Sequence, residues 1–551
     1  MTHLRARAGD VSALLILCVF PLAFHDYSGI TRYKYLLMLL LTPAVVFLTL
    51  ISHPGGRGGW TGRVTALCLL GWMLLSALTA PEEMNRNGQS VVWYGAVRYE
   101  GMISQACYLL LLLCFSFLRV RHGILLEGCG LALTVFMVIT GLQYLGVNAL
   151  DLYPQGRSIR TNYEFQGTLG NIDMVSGYLM LMIPLLLLPW LMEGGHALTC
   201  FLAGLSGVLL EFLMEVQSGM LGLGAFLFIL LGLFLRRPVS RWRVMVCLGS
   251  TLLLLAFRRS LNLPWLDGGE FMFVPGRGLV PFLLAIPPYC AWPWLRRHPG
   301  RELKRRQVCL ILAVLFLLLL AVVYFVPLTS GGGLYEIREV LHGRGRDEFG
   351  SWRLGVWRYT LEISREHLLL GTGPDTFLPV FSRYLEERGL RLPETFDNPH
   401  NLYLALMSNT GIVSLFLYLL LVGLGIARCL RAGGVFPLSL ASALLLYALQ
   451  GCFSFSICLV SPMAFALLGM AFSPFVRQEA NPFDHQSVPA PPAGAGADES
   501  QHAPGADGHP GGLHPLPASA DGHDHESGFP DDGPAGVHVH AHERKKRRGH
   551  V

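Results

Sequence analysis

The chain has 551 residues, 52% of them hydrophobic and only 14% charged, with a net charge of +5 and a mean hydropathy of +0.47. A soluble protein carries about a quarter charged residues, so a water-soluble globular fold is excluded, and no nucleic-acid partner is expected. The twelve cysteines have no CxxC spacing and lie mostly in apolar runs. That argues for small buried hydrophobes and against a disulfide framework or a zinc site.

From the amino terminus, the run Val11–Phe24 follows Arg5 and Arg7 and has no small-residue cleavage site. More apolar runs follow at once, so it is expected to be an uncleaved first helix. Leu36–Leu50, Tyr108–Phe117, Val244–Phe257 and Leu310–Val326 are almost free of charge. Each is near the length that crosses a ~30 Å hydrocarbon layer as a helix, and only helices satisfy their own backbone there without closing a barrel. The pattern predicts an all-α polytopic membrane protein of about 12–14 transmembrane helices, with one large extracytoplasmic loop containing interfacial helices. The expected spans lie near 11–24, 33–52, 64–80, 102–118, 123–147, 172–192, 197–214, 217–235, 243–257, 278–294, 307–328, 402–426, 435–450 and 457–475.

Basic clusters at Arg119 and Arg121, Arg236–Arg243, Arg296–Arg306, and Arg428 and Arg431 all fall on one side of such a threading. By the positive-inside rule that side is cytoplasmic, which puts 81–101, 148–171, 258–277 and 329–401 outside. The chain then divides into an N-terminal transmembrane bundle (1–328), a large extracytoplasmic catalytic loop (329–401), C-terminal transmembrane helices (402–478) and a His/Pro/Gly-rich cytoplasmic tail (479–551). The tail has too little apolar surface to fold and is expected to be disordered. Its histidines suit loose metal binding or, the simpler reading, a solvated low-complexity segment.

Three outward segments carry unusual polar residues. The first contains Arg98 in Trp93-Tyr-Gly-Ala-Val-Arg-Tyr-Glu-Gly101, the second runs from Arg157 and Arg160 to Asn171, and the third is the large loop. In that loop Arg353 and Trp357 are four apart and share a helix face. Ser351–Leu370 is amphipathic enough to lie along the membrane surface with its aromatics at headgroup depth. Arg353 suits a phosphate, which its planar fork of donors grips at any working pH; the plainer reading is an arginine that reaches lipid headgroups. His400, in Asp397-Asn-Pro-His-Asn401 just before a span, has the chemistry to accept a proton from a sugar hydroxyl. A solvated loop histidine is the plainer reading there. Pro399 stiffens the turn, and Asn401 is placed to orient the ring. Gly371-Thr-Gly373 lacks the Lys-Ser/Thr of a P-loop and reads as a turn ending the interfacial helix.

Taken in order, Arg353-Leu-Gly-Val-Trp357, Leu370-Gly-Thr-Gly373, Asn398-Pro-His-Asn401 and Asn409-Thr-Gly-Ile412 resemble the signature of the O-antigen ligase and polymerase superfamily. Arg98-Tyr-Glu-Gly101, Gly167-Thr-Leu-Gly-Asn171 and Ser218-Gly219 fit the same family, so the resemblance covers roughly 10–475. It implies a metal-independent, cofactor-free glycosyltransferase of bacterial envelopes. The donor would be a glycan on undecaprenyl diphosphate, presented at the outer face of the plasma membrane, and the acceptor a glycan, a lipid or a protein. By the same resemblance His400 and Arg353 are the catalytic residues, and Arg98, Arg160, Trp357, Asn401, Asn171 and Ser218 bind substrate. The family often has an arginine beside the serine of its middle outer junction; here the stretch is Gln217-Ser-Gly-Met220, leaving Arg98, Arg157 or Arg160 to supply that charge.

The alternative from another class is a lipid-linked oligosaccharide flippase or transporter, which would carry ionisable groups within its spans. Here the spans are nearly charge-free apart from Glu127, Glu211 and Glu215, and the polar chemistry gathers in loops. Within the family, sequence leaves polymerase, ligase and protein O-oligosaccharyltransferase open.

Overall fold

A computed structural model describes residues 2–52, 58–153, 167–194, 197–262, 272–327 and 333–476. The expected tail, Arg157 and Arg160 lie outside the described residues. The described part is mostly helical, with a two-stranded ladder, Leu261–Asn262 against Met272–Phe273, and an isolated bridge between Met84 and Ser90. The chain is therefore an all-α polytopic membrane protein, and helices occupy all fourteen expected span positions. Among the described residues nine are long and apolar enough to cross a membrane: Ile30–Ile51, Trp60–Thr79, His122–Tyr144, Ile172–Met192, Gln217–Arg236, Pro238–Ser260, Pro275–Arg297, Arg305–Phe325 and Leu402–Ala432. Four apolar helices are shorter: Met102–Phe115, Leu198–Met214, Val435–Gln450 and Ser461–Phe472.

The first helix, Thr2–Leu14, widens into a π-turn over Leu15–Val19 before Phe20–Leu22. Pro21 has no N–H and its ring crowds the preceding turn, so the helix loosens and ends there. The carbonyls released at this end are taken up by side chains: Lys34 Nζ donates to Pro21 O at 3.1 Å and Thr168 Oγ1 at 2.6 Å.

Ile172–Met192 is apolar on every side and wholly buried, which makes it the axis of the bundle. Leu198–Met214, Gln217–Arg236 and Val435–Gln450 pack around it. Leu279–Arg297 and Arg305–Phe325 are also apolar but lie at the periphery, with most of their surface turned outward.

Leu402–Ala432 decides where the site forms. It breaks at Gly411, whose φ of 83° and ψ of 171° belong to a backbone region open essentially only to glycine. The segment following the helix Arg353–Glu366 enters this break. Ile412 N donates to Leu368 O at 2.8 Å, Thr372 N to Ser408 O at 2.9 Å, and Gly373 N to Asn409 O at 2.8 Å. Ser76 Oγ adds a bond to Leu370 O at 2.6 Å from Trp60–Thr79. Gly371-Thr-Gly373 is thus a turn, as expected, and also a clamp on the broken helix. The Arg353–Glu366 helix does not keep its apolar face for lipid alone: Val356 and Ile363 form a small core with Phe377, Phe381, Tyr384 and Phe396 of the same loop.

Gly411→Ala would place a methyl group against Leu369 O as well as strain the backbone. Its cost is expected to be about 1–3 kcal/mol from strain alone, read as a lower melting temperature of the purified protein in detergent. Gly423→Ala in the same helix, with nothing within 4 Å of the new methyl, is the control and should be neutral or stabilising by up to about 1 kcal/mol.

Candidate functional site

His400 sits in the turn that opens Leu402–Ala432 and has a left-handed backbone, φ 48°. Histidine tolerates that conformation better than most residues. Here it is held by an Asx turn, His400 N to Asn398 Oδ1 at 2.9 Å, and by Trp357 Nε1 donating to Pro399 O at 2.8 Å. Trp357, expected to bind substrate, is thus a strut for the His400 turn, and its ring also lies 5.7 Å from that of Phe453. Asn401 differs from its expected role as well. Its Oδ1 caps the helix, accepting from Tyr403 N at 3.0 Å and Leu404 N at 3.1 Å, so it does not steer the imidazole.

Arg98 and Arg353 both lie close enough to His400 for their charges to act on its ring. Burial, then Arg353, then Arg98 hold the His400 pKa at about 4, below the ordinary 6.5, with Asp397 opposing. The difference amounts to about 3 kcal/mol against the imidazolium, so the ring is neutral at physiological pH. Its Nδ1 is buried and has no hydrogen-bond partner among the described residues.

The two guanidiniums differ. Arg98 grips Asp397 with both ends of its fork, at 2.5 Å and 3.2 Å, and stacks over Phe455 with its carbon 4.3 Å from the ring centre. The same Phe455 meets the His400 ring edge-on at 5.1 Å. Arg353 is partly exposed and has no carboxylate partner among the described residues. A guanidinium left uncompensated beside a neutral base is a place for an anion.

Arg98 reaches this position because Asp375 shapes the loop that carries it. Asp375 Oδ2 accepts from Ala96 N at 2.9 Å and Glu100 N at 3.4 Å. Gly95, with φ 98°, leaves the room that a Cβ would take from that carboxylate. Among the described residues there are eight non-glycine positions with positive φ. Five of them, Tyr99, Ser351, Trp352, Asp375 and His400, flank or belong to this constellation. Backbone of this kind gathers where a site over-determines its geometry.

Beside the ion pair opens a small cavity, part of it open to solvent, with Arg98, Glu100, Asp375, Asp397 and Asn398 in its wall. Burial lifts Glu100 to about 8, against the hydroxyl of Tyr108, with Asp375 raising it further; Asp375 itself is lifted to about 7 by burial, against the two backbone N–H groups. Glu100, Asp375, Asp397 and Phe455 were missed as site residues. The nearest signals are Glu100 inside the Arg98–Gly101 stretch and Asp397 three residues before His400. Nothing local in the sequence marks Asp375, whose partners Ala96 and Glu100 lie far off in the chain.

The other expected residues do not join this group. Asn171 is the cap of the axial helix, accepting from Asp173 N at 2.9 Å and Met174 N at 3.3 Å. Ser218 is buried next to Gly219, against which Glu211 and Ser176 pack, the latter two hydrogen-bonded at 3.1 Å. Near Glu211, Arg258 pairs with Glu215 at 3.3 Å and brings a guanidinium that the expected spans did not reveal. Among the described residues no three His, Cys, Asp or Glu side chains are grouped to hold a metal ion.

The capping role of Asn401 separates it from a catalytic one. Asn401→Ala should cost about 1 kcal/mol of stability. Asn401→Ser or Asn401→Asp, which cap equally well, should recover that loss in thermal melts and restore activity with it.

No curated protein is a significant match to the chain. Residues 277–419 match the family model described as O-antigen ligase, a stretch that contains Arg353, Trp357, His400 and Asn401 but not Arg98. Enzymes of this family are of the glycosyltransferase or ligase type and work on lipid-linked glycans and their acceptors in membranes. With its apolar helices the chain is a multi-pass membrane protein, and over residues 277–419 it is similar to the O-antigen ligase family.

Proposed function

We propose that the protein transfers a glycan from an undecaprenyl-diphosphate-linked donor to an acceptor hydroxyl, as a surface polysaccharide polymerase or ligase. The observation that carries this reading is the meeting of a partly buried imidazole, its Nδ1 enclosed, with two guanidiniums, one of them without a carboxylate partner among the described residues. His400 accepts the proton of the acceptor hydroxyl as its oxygen bonds to the anomeric carbon. The bond from that carbon to the phosphate oxygen breaks, and undecaprenyl diphosphate leaves with the electron pair. Arg353, helped by Arg98, stabilises the charge that grows on it, usually the largest contribution in such transfers. His400 then returns its proton to water. No metal is needed where two fixed cations meet the leaving group.

An extracytoplasmic site on the plasma membrane of a bacterium is part of the proposal. His400 opens the 31-residue helix Leu402–Ala432, and Arg428 and Arg431 stand near its other end. A basic end is retained in the cytoplasm, which leaves His400 outside, where lipid-linked glycans are consumed.

His400→Ala and Arg353→Ala should each abolish release of undecaprenyl diphosphate by the purified protein, without any ion gradient and with expression unchanged. Arg353→Lys keeps the charge but loses the fork and should be strongly impaired. Retained activity in His400→Ala would remove the ring from the chemistry. Gradient-dependent movement of the lipid without cleavage would favour a flippase.

A second test is the pH profile. The base works unprotonated, so the acid limb of kcat/KM, which reports the free enzyme, should fall near pH 4 rather than 6.5, in line with the depressed His400 pKa. A bound diphosphate offsets the two guanidiniums, so the acid limb of kcat should lie above that of kcat/KM. Coincident limbs near 6.5 would contradict the geometry.

A further inference from the structure

At the end of the bundle away from His400, the last turns of Leu402–Ala432 carry Arg428 and Arg431. Leu424, Arg428 and Arg431 follow one another at spacings of four and three, so they share one helix face. That face walls a second cavity, which Thr61, Phe472 and Val476 also line. Its other walls are tied in place. Ser473 Oγ donates to Leu118 O at 3.1 Å and so holds the chain end that carries Val476, and Arg428 Nη2 reaches Ser473 O at 3.4 Å. A Cβ at Gly58 would come within 3.2 Å of Arg428 Nη2 and 3.1 Å of Pro474, so a glycine there leaves the guanidinium its room.

The charge around this cavity has one sign. Arg428 Nε is enclosed and has no hydrogen-bond partner among the described residues. Among them neither Arg428 nor Arg431 pairs with a carboxylate, and Asp10 is engaged by Arg121 at 2.7 Å. Arg63 lies close enough for its charge to meet that of Arg428. It is held by Ser116, Nε to Oγ at 3.0 Å and Nη2 to the carbonyl at 2.7 Å, and by the face of Phe117 at 3.7 Å. Those contacts fix its charge without neutralising it. The amino end of Trp60–Thr79, where Thr61 stands, has no side-chain cap and no acid in its first turn, so its partial positive charge adds to theirs. The dipole of Leu402–Ala432 accounts for Arg431 in its last turn, but not for an enclosed Arg428 before it.

Uncompensated guanidiniums around a cavity fit a phosphate, whose oxygens match their fork of donors. The remaining walls decide where that phosphate comes from. Leu424 and Phe472 give the cavity an apolar side, which an acyl chain covers and a free anion does not. Basic pockets between membrane helices suit anionic headgroups for this reason.

We propose that this cavity binds the phosphate of an anionic phospholipid from the leaflet opposite His400, with Arg428 and Arg431 on its oxygens and an acyl chain along Leu424. Such a lipid bridges Leu402–Ala432 and Trp60–Thr79, the two helices that also meet where Ser76 Oγ contacts Asn409 O at 3.4 Å. It thereby steadies the pair of helices that holds the loop. The proposal is independent of the transferase reading.

The test uses the full chain, purified in a neutral maltoside detergent, and reads its melting temperature as lipid is added. Dioleoylphosphatidylglycerol should raise it by several degrees. Dioleoylphosphatidylcholine, with the same chains but no net charge, should do far less, and inorganic phosphate nothing. Arg428→Gln with Arg431→Gln should raise the phosphatidylglycerol concentration at half-effect about tenfold or more. Arg305→Gln with Arg306→Gln removes the same charge from an exposed helix start and should leave that concentration unchanged. If the first pair fails to fold, Thr61→Glu takes its place. It sets a carboxylate against the guanidiniums in a helix turn that favours one, and should keep the fold while abolishing the response. An equal response to phosphatidylcholine overturns the proposal, and so does an equal response to inorganic phosphate, which would make the cavity a free-anion site. A phosphatidylglycerol response that survives Thr61→Glu, or that both arginine pairs weaken alike, overturns it as well.

Discussion

The fold hinges on a break in one helix. A backbone in hydrocarbon must satisfy its own N–H and C=O groups, and Leu402–Ala432 fails to do so at Gly411. The segment after Arg353–Glu366 supplies the missing partners through Leu368, Thr372 and Gly373. This backbone stitch fixes a loop helix to the bundle where a surface helix would otherwise be free to shift. With the loop pinned at Gly411 and the turn Asn398–Asn401 pinned by Trp357, Arg353 and His400 are held in one neighbourhood. Catalytic precision of this kind comes from fixing the elements that carry the groups rather than from the groups themselves.

Electrostatic imbalance is the second feature. Two guanidiniums act on one imidazole, and only Arg98 has its carboxylate. The ring stays neutral chiefly because it is partly desolvated, and then because Arg353 and Arg98 repel a further positive charge, with Asp397 opposing them. An anion at Arg353 would restore the balance, so in the proposed reaction the donor both supplies the leaving group and makes its own base stronger. Asp397 keeps Arg98 in position meanwhile, and Asp375 keeps the loop that carries Arg98.

The matched family region ends at residue 419 and begins at 277, while the site is drawn from outside it as well. Arg98 and Glu100 come from the turn before Met102–Phe115, and Phe455 from the turn before Ser461–Phe472. The matched stretch is therefore not a separate unit; its loop is hydrogen-bonded to side chains and backbone that lie outside it. Two of the residues expected to bind substrate cap helices: Asn171 caps Ile172–Met192, away from the site, and Asn401 caps Leu402–Ala432. Capping still bears on function, because the start of Leu402–Ala432 sets the position of His400.

The positions of the helices were legible in the sequence, since an uninterrupted apolar run of sufficient length has few other outcomes in a bilayer. Arg353 and His400 stand out in the sequence too, as a guanidinium and an imidazole in a chain so poor in charge, and the fold brings them into one neighbourhood. The roles of Asn401 and Trp357 were not, because a cap and a strut are defined by which N–H or carbonyl lies within about 3 Å, and that depends on the turn they sit in. Nor were Asp397 and Asp375, whose partners Arg98 and Ala96 lie 299 and 279 residues away. Hydropathy and local spacing are properties of neighbours in the chain and fix what each segment becomes. Charge compensation, cavity shape and the environment of His400 are properties of neighbours in space, and only the packed bundle decides them.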